Sequence, residues 1–433
     1  MKSIKIFIIV CISIGSISSL SAQSDSLSLQ SILTQVMNNY PSIKKEIQDI
    51  NAADARLGLA KSTYLPDVFF NSSYTRIGPV SSMTLPGLGT FELYPANNYS
   101  ATLNYNQTLY DFGRTSNNIE LETQNKQMIS MSADQTKQKL SSFVIDVYYS
   151  IVYLQEAITI KDEQIKTLNE HLRFVEKKKE TGSATQYEVL TTQVKISTIE
   201  NQKTDLQAAL EVQISRLQSL LGNTDKNSVV LQMDLQPIHY IQSIDSLSNY
   251  AYQNRPEIKL SKQKESILNA KYEYVNSLNN PMLNLYANGG IKNGYTPEID
   301  KGKLNYAVGI GLKIPIYDAN RTKLNLVQVT SEIENNKQDI ELAKRNILNE
   351  VVECQSNIKS ATQKINQSEL QFNQAQQAYN LAENSFKSGV ITNLELLDSF
   401  TSLSESKLSM LKARIDYSVS YYKLQIALGE KIY

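Results

Sequence analysis

The chain has 433 residues, and its 43 basic side chains balance its 43 acidic ones, so the formal net charge is zero. This balance argues against nucleic acid or an acidic polymer as the main partner. Of the two cysteines, Cys11 falls in a segment that we expect to be removed, so we expect no internal disulfide in the mature chain.

The first 22 residues have the three parts of a secretory signal peptide. Lys2 and Lys5 precede an apolar run over 6–14, and a region of small residues ends at Ala22. The run is too short to span a bilayer, and we predict export followed by cleavage after Ala22. No later stretch offers 18 uninterrupted apolar residues, so the sequence predicts no transmembrane helix.

The mature chain contains two copies of one unit. Pro41 and Gly182 in the first copy reappear as Pro256 and Gly389 in the second, each within a similar local sequence. The spacing between equivalent residues changes once, by eight, so the first copy carries extra residues between its first helices and its long helix. The predicted organisation is a first repeat, a loose connecting segment and a second repeat, at 23–222, 223–245 and 246–433.

Each repeat contains a segment in which apolar and polar residues alternate. The alternation is complete from Tyr99 to Leu109 in the first copy and recurs from Leu304 to Ile316 in the second. A period of two over about ten residues is typical of a strand with one apolar face. With weaker partner strands before them, these segments predict two hairpins joined through surface loops, at about 67–109 and 282–316.

Two interpretations of the hairpins are open at this point. A small antiparallel sheet packed on helices is the commoner use of such alternation. A transmembrane wall also fits, because about 9–11 residues per strand cross a bilayer with apolar side chains facing lipid. Four strands cannot close a barrel, and open edges are not tolerated in lipid, so a wall would need several chains.

Long helices account for most of the remaining sequence. Neither 114–180 nor 321–387 contains glycine or proline, and apolar residues recur there every seven positions, as in a coiled-coil seam. Lys161 is the one polar member of the first seam. After turns at Gly182 and Gly389, return helices are predicted at 184–221 and 391–428.

Two aspartates stand just before the long helices. Asp111 and Asp318 are predicted to be their N-caps, because a carboxylate at that position accepts free backbone N–H groups. At a rise of about 1.5 Å per residue, each long helix would span roughly 100 Å. The hairpins and the glycine turns would therefore lie at opposite ends of the molecule.

The sequence offers no recognisable catalytic or metal-binding motif. The two histidines, His171 and His239, lack metal-ligand spacing, and we expect both to be solvated. Cys354 continues a heptad series and is predicted to be a buried structural thiol. We predict no enzyme activity, no cofactor and no bound metal.

The two tip sequences, TGSATQYEVL at 181–190 and SGVITNLELL at 388–397, and the duplicated helix–hairpin–helix order resemble the TolC-like outer-membrane efflux proteins. The resemblance covers essentially the whole mature chain. It implies a mainly α fold with a small β part, in which long antiparallel coiled-coil helices form two repeats. Each hairpin would contribute to a shared 12-stranded transmembrane β-barrel of a homotrimer.

The same resemblance implies a location and partners. The protein would lie in the outer membrane, in contact with its lipid, and would have a large periplasmic part. A periplasmic adaptor and an inner-membrane transporter would complete the assembly, and no nucleic acid is involved.

Roles for individual residues also follow from the resemblance. Acids of the pore constriction correspond to Glu395 and Asp398 in the second copy and to Glu188 in the first. Ile391 stands where closed-state members have an arginine, and Phe386 stands where they have a tyrosine. Residues implied in docking the adaptor at the periplasmic tip are Lys178, Gly182, Ser183, Phe386, Gly389, Val390 and Ile391.

Glu395 and Asp398 are three residues apart and share a helix face. In a trimer, six such carboxylates would approach one axis and raise some of their pKa values by mutual repulsion. The alternative is that both are ordinary acids in the first turns of a helix, where the helix dipole favours negative charge.

Three functions fit the sequence. The first is the outer-membrane exit duct of a tripartite efflux system. The second is the same kind of duct serving type I protein secretion. The third, which the amphipathic strands disfavour, is a non-conducting periplasmic coiled-coil protein with a structural function.

Overall fold

The structure, a computed structural model, describes residues 27–87, 89–222, 231–239 and 242–433. The predicted signal peptide lies outside the described residues, as does part of the predicted connecting segment. The described chain is mainly helical and has a small β part.

The first repeat starts with two short helices, continues through four strands and ends in two long helices. Its elements are α1 (Leu29–Asn39), α2 (Pro41–Ser62), β1 (Asp67–Arg76), β2 (Ser82–Leu85), β3 (Gly89–Glu92), β4 (Asn97–Tyr110), α3 (Arg114–Glu180) and α4 (Gln186–Leu221).

The second repeat has the same order without the short strand pair. Its elements are α5 (Ile244–Asn254), α6 (Pro256–Ser277), β5 (Met282–Lys292), β6 (Lys303–Lys313), α7 (Arg321–Lys387) and α8 (Asn393–Leu428). The four helices have 11, 22, 67 and 36 residues in both copies. Equivalent helices of the two repeats therefore have the same number of residues, and both glycine turns lie equally far from the strands.

The predicted N-caps of the long helices need a correction of two residues. The N-cap positions are Gly113 and Asn320, both in the left-handed conformation and without a side-chain cap. The carboxylates of Asp111 and Asp318 nevertheless accept the backbone N–H groups of the second helical residues, at 2.8 and 2.9 Å. Because the chain turns tightly between strand and helix, each carboxylate reaches the first turn from two residues further back.

Four strands form one antiparallel sheet in the order β1-β4-β5-β6. The central pair, β4 and β5, joins the hairpin of the first repeat to that of the second. Within the described part of the chain, β1 and β6 each keep one unpaired edge. The two repeats therefore share one sheet whose two outer edges are both open.

The register places most of the apolar residues of the four strands on one face. Leu103 lies between Phe70 and Gly289, and Gly289 lies opposite Tyr306. On β6 this face is open, with Leu304 and Tyr306 each 86% exposed. No described helix packs across it. The packed-sheet interpretation is therefore not supported, and a wall that faces lipid is favoured.

Two strand predictions need correction. β6 ends at Lys313, three residues before the predicted limit, because Pro315 cannot donate a ladder hydrogen bond. The first connection, predicted as a loop, contains β2 and β3, which pair only with each other in the described structure. This two-stranded ribbon lies where the first copy carries its extra residues.

One described helix, α3, contains a window that is long and apolar enough to cross a membrane by length and composition alone. The window is not an uninterrupted apolar run, so the sequence predicts no transmembrane helix there. However, 56% of this window is buried inside the protein, as expected of a core helix.

The largest apolar core lies midway along α3, where α1 and the end of α4 pack against it. Tyr148 and Tyr149 are fully buried there, and their rings meet edge to face at 5.3 Å. Their hydroxyls donate to the carbonyls of Gln232 and Asp234 at 2.6 and 2.7 Å. Residues 231–239 are thus held against the helices, so the prediction of a loose connection is wrong for this part.

The junction between the two hairpins gives a first testable prediction. A Cβ at Gly290 would lie 2.1 Å from the carbonyl oxygen of Ala101, whereas one at Gly289 would meet nothing nearer than 3.9 Å. Gly290→Ala should push β4 and β5 apart. It should lower the free energy of unfolding by about 1–3 kcal/mol, as overpacking typically does. Gly289→Ala is the matched control.

The thermal unfolding midpoint of the purified protein in detergent measures the effect. We expect a clear drop for Gly290→Ala and almost none for Gly289→Ala. Equal midpoints for the two variants would contradict the tight approach of β4 to β5.

Candidate functional site at the helix tip

The candidate site lies at the end of the helices away from the sheet. We call this region the helix tip: the turns at Gly182 and Gly389 with the adjoining ends of α3, α4, α7 and α8. Since each long helix rises about 1.5 Å per residue, the tip is roughly 100 Å from the strands. All the residues implied in a constriction or in docking lie here.

Both long helices end in the same backbone motif. Gly182 and Gly389 are left-handed, with φ of 73° and 74°. After α3, the N–H of Ser183 donates to the carbonyl of Lys178 at 2.7 Å, and the N–H of Gly182 donates to that of Lys179 at 2.9 Å. The equivalent two bonds close α7 at 2.9 and 3.0 Å. These Schellman motifs satisfy the free carbonyls and reverse the chain sharply.

The first turn of α8 is closed by a capping box. The backbone N–H and the hydroxyl of Thr392 donate to the Glu395 carboxylate at 2.7 and 2.9 Å. The N–H of Glu395 donates back to the Thr392 hydroxyl at 3.3 Å. Because this cap precedes it, α8 begins at Asn393, two residues later than predicted. The corresponding N-cap of α4 is Thr185, with the same two-residue delay.

The predicted constriction acids lie in different environments. Glu395 and Asp398 are exposed, and Glu188 is half-buried. The hydrogen bonds from Thr392, its backbone N–H first, hold the pKa of the Glu395 carboxyl below its usual range. Glu395 is therefore a helix-capping acid in the first turn of α8, and the rise in pKa expected when six carboxylates meet in a trimer stays a prediction.

A buried asparagine links the two repeats at the tip. Asn393, at the start of α8, is 3% exposed. Its amide nitrogen donates to the carbonyl of Glu188 at 3.2 Å and to the hydroxyl of Thr192 at 3.1 Å. Its amide oxygen lies 2.7 Å from Nε2 of His171. Because the nitrogen is committed to acceptors, the oxygen must accept, so Nε2 of His171 carries a proton.

The prediction that His171 is solvated is therefore wrong. Its ring lies 5.3 Å from the ring of Phe386 and borders a cavity of about 210 Å³ between α3, α7 and α8. Burial lowers the pKa of His171, and the hydrogen bond that its Nε2–H donates to Asn393, together with the charge of Glu383, opposes that shift only partly. His239 is exposed and stacks on Tyr421.

The residues implied in docking divide into two groups. Gly182, Ser183, Gly389 and Val390 are exposed at the turns, and Val390 is 76% exposed. The rest support the turns from below, because their side chains pack between the helices. Phe386 is buried, Ile391 and Lys178 are half-buried, and the Lys178 ammonium lies 4.7 Å from the ring centroid of Phe386.

No pattern in the sequence indicates the Asn393 network. Asn393 follows an N-cap threonine and looks like an ordinary first helical residue, and His171 lies in no motif. Among the described residues, no group of three or more His, Cys, Asp or Glu side chains could hold a metal ion.

The depressed pKa of His171 gives a pH prediction. An unfolded histidine titrates near 6.5, and the folded pKa lies below this. As pH falls through 6.5 the locally opened state binds the proton first, so the closed tip loses stability on acidification. In His171→Gln an amide still donates to Asn393 but does not titrate, so this loss should disappear.

Hydrogen exchange by mass spectrometry, on peptides that cover 165–180 and 390–400, measures this stability. Wild type and variant are compared at the same pH, so that the intrinsic pH dependence of exchange cancels. The ratio of the exchange rate of the wild type to that of His171→Gln should increase as the pH is lowered from 7.5 to 5.5. His239→Gln is the control and should behave as wild type; a flat ratio for His171→Gln would contradict the assignment.

Comparisons with known proteins agree with this architecture. A family model described as outer membrane efflux protein matches residues 32–223 and 247–430. Outer membrane protein TolC of Salmonella enteritidis is 19% identical over 423 residues, which cover 96% of this chain and 84% of that protein. The toluene efflux pump outer membrane protein TtgC of Pseudomonas putida is 22% identical over 421 residues, covering 92% and 82%.

A solved structure shares the fold. The outer membrane protein VceC of Vibrio cholerae superposes with a TM-score of 0.74 at 16% identity, over 94% of this chain and 97% of that one. The family model spans most of the two repeats, including both hairpins and both helix turns. The chain therefore belongs to the outer membrane efflux protein family.

Proposed function

We propose that the protein is the outer-membrane exit duct of a tripartite efflux system. The observation that carries this proposal is the sheet: its uncovered apolar face lies at one end of helices roughly 100 Å long, and polar residues line its other face. Such a sheet suits a membrane wall, and the helices suit a tunnel that extends into the periplasm. The chain would be exported by its signal peptide and inserted through the sheet.

Small molecules are the favoured class of substrate. TtgC is described as part of a toluene efflux pump, which supports efflux ahead of type I protein secretion. The exposed β6 face makes a non-conducting periplasmic role the poorest fit. An adaptor and an inner-membrane transporter would deliver the substrate to the tip.

A homotrimer would satisfy the open edges of the sheet. β6 of one chain would pair with β1 of the next, and three four-stranded sheets would close a 12-stranded barrel. Bacterial barrels of this kind have even strand numbers from eight upwards. The lipid-facing band would then be continuous around the barrel.

The mass of the protein in detergent tests this arrangement. Light scattering, corrected for bound detergent, should give three chains per particle. A stable monomer would rule out the shared barrel, because its two sheet edges would lie unpaired in the hydrocarbon.

The exposed parts of the two turns would dock the adaptor. Ser183 and Val390 lie at the far end from the sheet, and both are exposed. Cysteines placed at either position should cross-link to the adaptor through a short bifunctional reagent. Background from Cys354 should be low, because burial raises the pKa of its thiol to about 11.

A cysteine at Asn97, at the opposite end of the molecule, is the control and should give no adduct. Cross-linking from this end instead would show that the orientation is reversed.

The constriction would be formed by Glu395 and Asp398 from three chains. Six carboxylates near one axis should make the channel prefer cations and let multivalent cations block it from the periplasmic side. Glu395→Gln with Asp398→Asn should relieve the block. The capping box should survive, because glutamine at the third helical position can replace glutamate there.

Current through single channels in planar bilayers measures the block. If arginine at 391 restores a closed-state contact, Ile391→Arg should lower resting conductance below that of wild type. An unchanged block in the double variant would place the constriction elsewhere on the tip.

A further inference from the structure

The ribbon formed by β2 and β3 has one apolar and one polar face. Met83 lies opposite Phe91, and Thr84 lies opposite Thr90 with their hydroxyls 2.8 Å apart. The N–H of Leu93 donates to the carbonyl of Ser81 at 2.9 Å, which extends the pairing by one residue. Because side chains alternate along a strand, the members of the apolar face are Met83, Leu85, Phe91 and Leu93, and those of the polar face are Ser82, Thr84, Thr90 and Glu92.

The apolar face of the ribbon is uncovered in the single chain. Its four side chains are between 38% and 49% exposed. In the part of the chain that the structure describes, neither β2 nor β3 packs against any other helix or strand. An isolated two-stranded hairpin is marginally stable at best in water, so an amphipathic one of this kind is best stabilised by an apolar cover.

The attachment of the ribbon indicates where such a cover lies. It follows β1 and precedes β4 at the end of the hairpin furthest from the helices. The last aromatic pair on the lipid-side face of that hairpin is Tyr74 opposite Tyr99, two residues before the paired strands end at Arg76 opposite Asn97. Aromatic residues at strand ends typically mark the membrane interface of a barrel. The ribbon therefore leaves the sheet at the level where the wall leaves the bilayer.

The charge of the segment agrees with an apolar cover. Residues 77–96 contain a single ionisable side chain other than tyrosine, that of Glu92, which lies on the polar face. The equivalent connection of the second repeat, 293–302, is half as long and carries Glu298, Asp300 and Lys301. The second connection has the charge expected of a loop in water, and the first does not. A polar lumen would not cover the apolar face.

We propose that the ribbon lies on the outer surface of the bilayer and inserts the side chains of Met83, Leu85, Phe91 and Leu93 among the lipid acyl chains. The proposal rests on the insertion of the sheet into a membrane. An amphipathic element in this position buries its apolar face at the boundary between headgroups and acyl chains. The polar face, with Glu92, points to water. The first repeat alone would then have an anchor beside its barrel wall.

The absence of tryptophan from the sequence permits a direct test. Single-tryptophan variants are reconstituted into phosphatidylcholine vesicles whose acyl chains carry bromine, which quenches tryptophan only on contact. Phe91→Trp reports the apolar face of the ribbon, and Thr84→Trp its polar face. Tyr306→Trp, on the exposed face of β6, reports insertion of the sheet itself.

We expect Phe91→Trp to be quenched to more than half the extent of Tyr306→Trp, and Thr84→Trp to remain unquenched. Blue-shifted but unquenched emission from Phe91→Trp would mean that protein, such as a second copy of the chain, covers the face. Red-shifted, unquenched emission would place the face in water. If Tyr306→Trp is quenched, either result overturns insertion of the ribbon and leaves insertion of the sheet intact. An unquenched Tyr306→Trp would overturn membrane insertion of the sheet as well.

Discussion

The two edges of the sheet that have no strand partner in the described structure are the constraint on which the rest of the molecule depends. In hydrocarbon each unpaired backbone group costs several kcal/mol, because no water is available to bind it. β1 and β6 belong to different repeats, so pairing them between chains is a head-to-tail contact. Such a contact must either close into a ring or grow into a filament. A closed barrel pairs both edges and also leaves no apolar face exposed to water.

The equal helix lengths carry this symmetry to the other end of the molecule. Since α3 and α7 each have 67 residues, the turns of the two repeats lie at the same distance from the sheet. Three chains would therefore present six turns at one level, and the duplication would give a pseudo-sixfold ring from a threefold assembly. A length difference of even one helical turn would displace half of these turns by about 5.4 Å.

The capping role of Glu395 and a role in the pore are compatible. A carboxylate that accepts hydrogen bonds from Thr392 keeps its negative charge, and the bonds favour that charged form. The bonds also fix where the charge lies, because the side chain is tied to its own helix start. A fixed charge gives a better-defined field at a constriction than a mobile one. Repulsion between chains would act against this preference, so the balance between the two is set only in the assembly.

Sequence periodicity was sufficient for the helices because the signals are local. The heptad repeats and the absence of glycine and proline gave the bounds of both long helices, and left-handed glycines mark their ends. The return helices begin two residues later than predicted because Thr185 and Thr392 are their N-caps, whereas their ends lie where predicted. Even Lys161, the polar exception in the first seam, has a simple explanation: its ammonium donates to Gln202 of the return helix at 2.8 Å.

What the sequence could not give depends on contacts between distant residues. Asn393 and His171 are 222 positions apart. Each is a polar residue type that is common on the exposed face of a helix. Their burial follows from the packing of the second-repeat tip against the first-repeat helices, which no periodicity encodes. The same holds for Tyr148 and its carbonyl partner in the connecting segment, 84 positions away. Polar contacts between residues so far apart depend on how the whole chain packs, whereas elements that each copy builds alone can be predicted from its own residues.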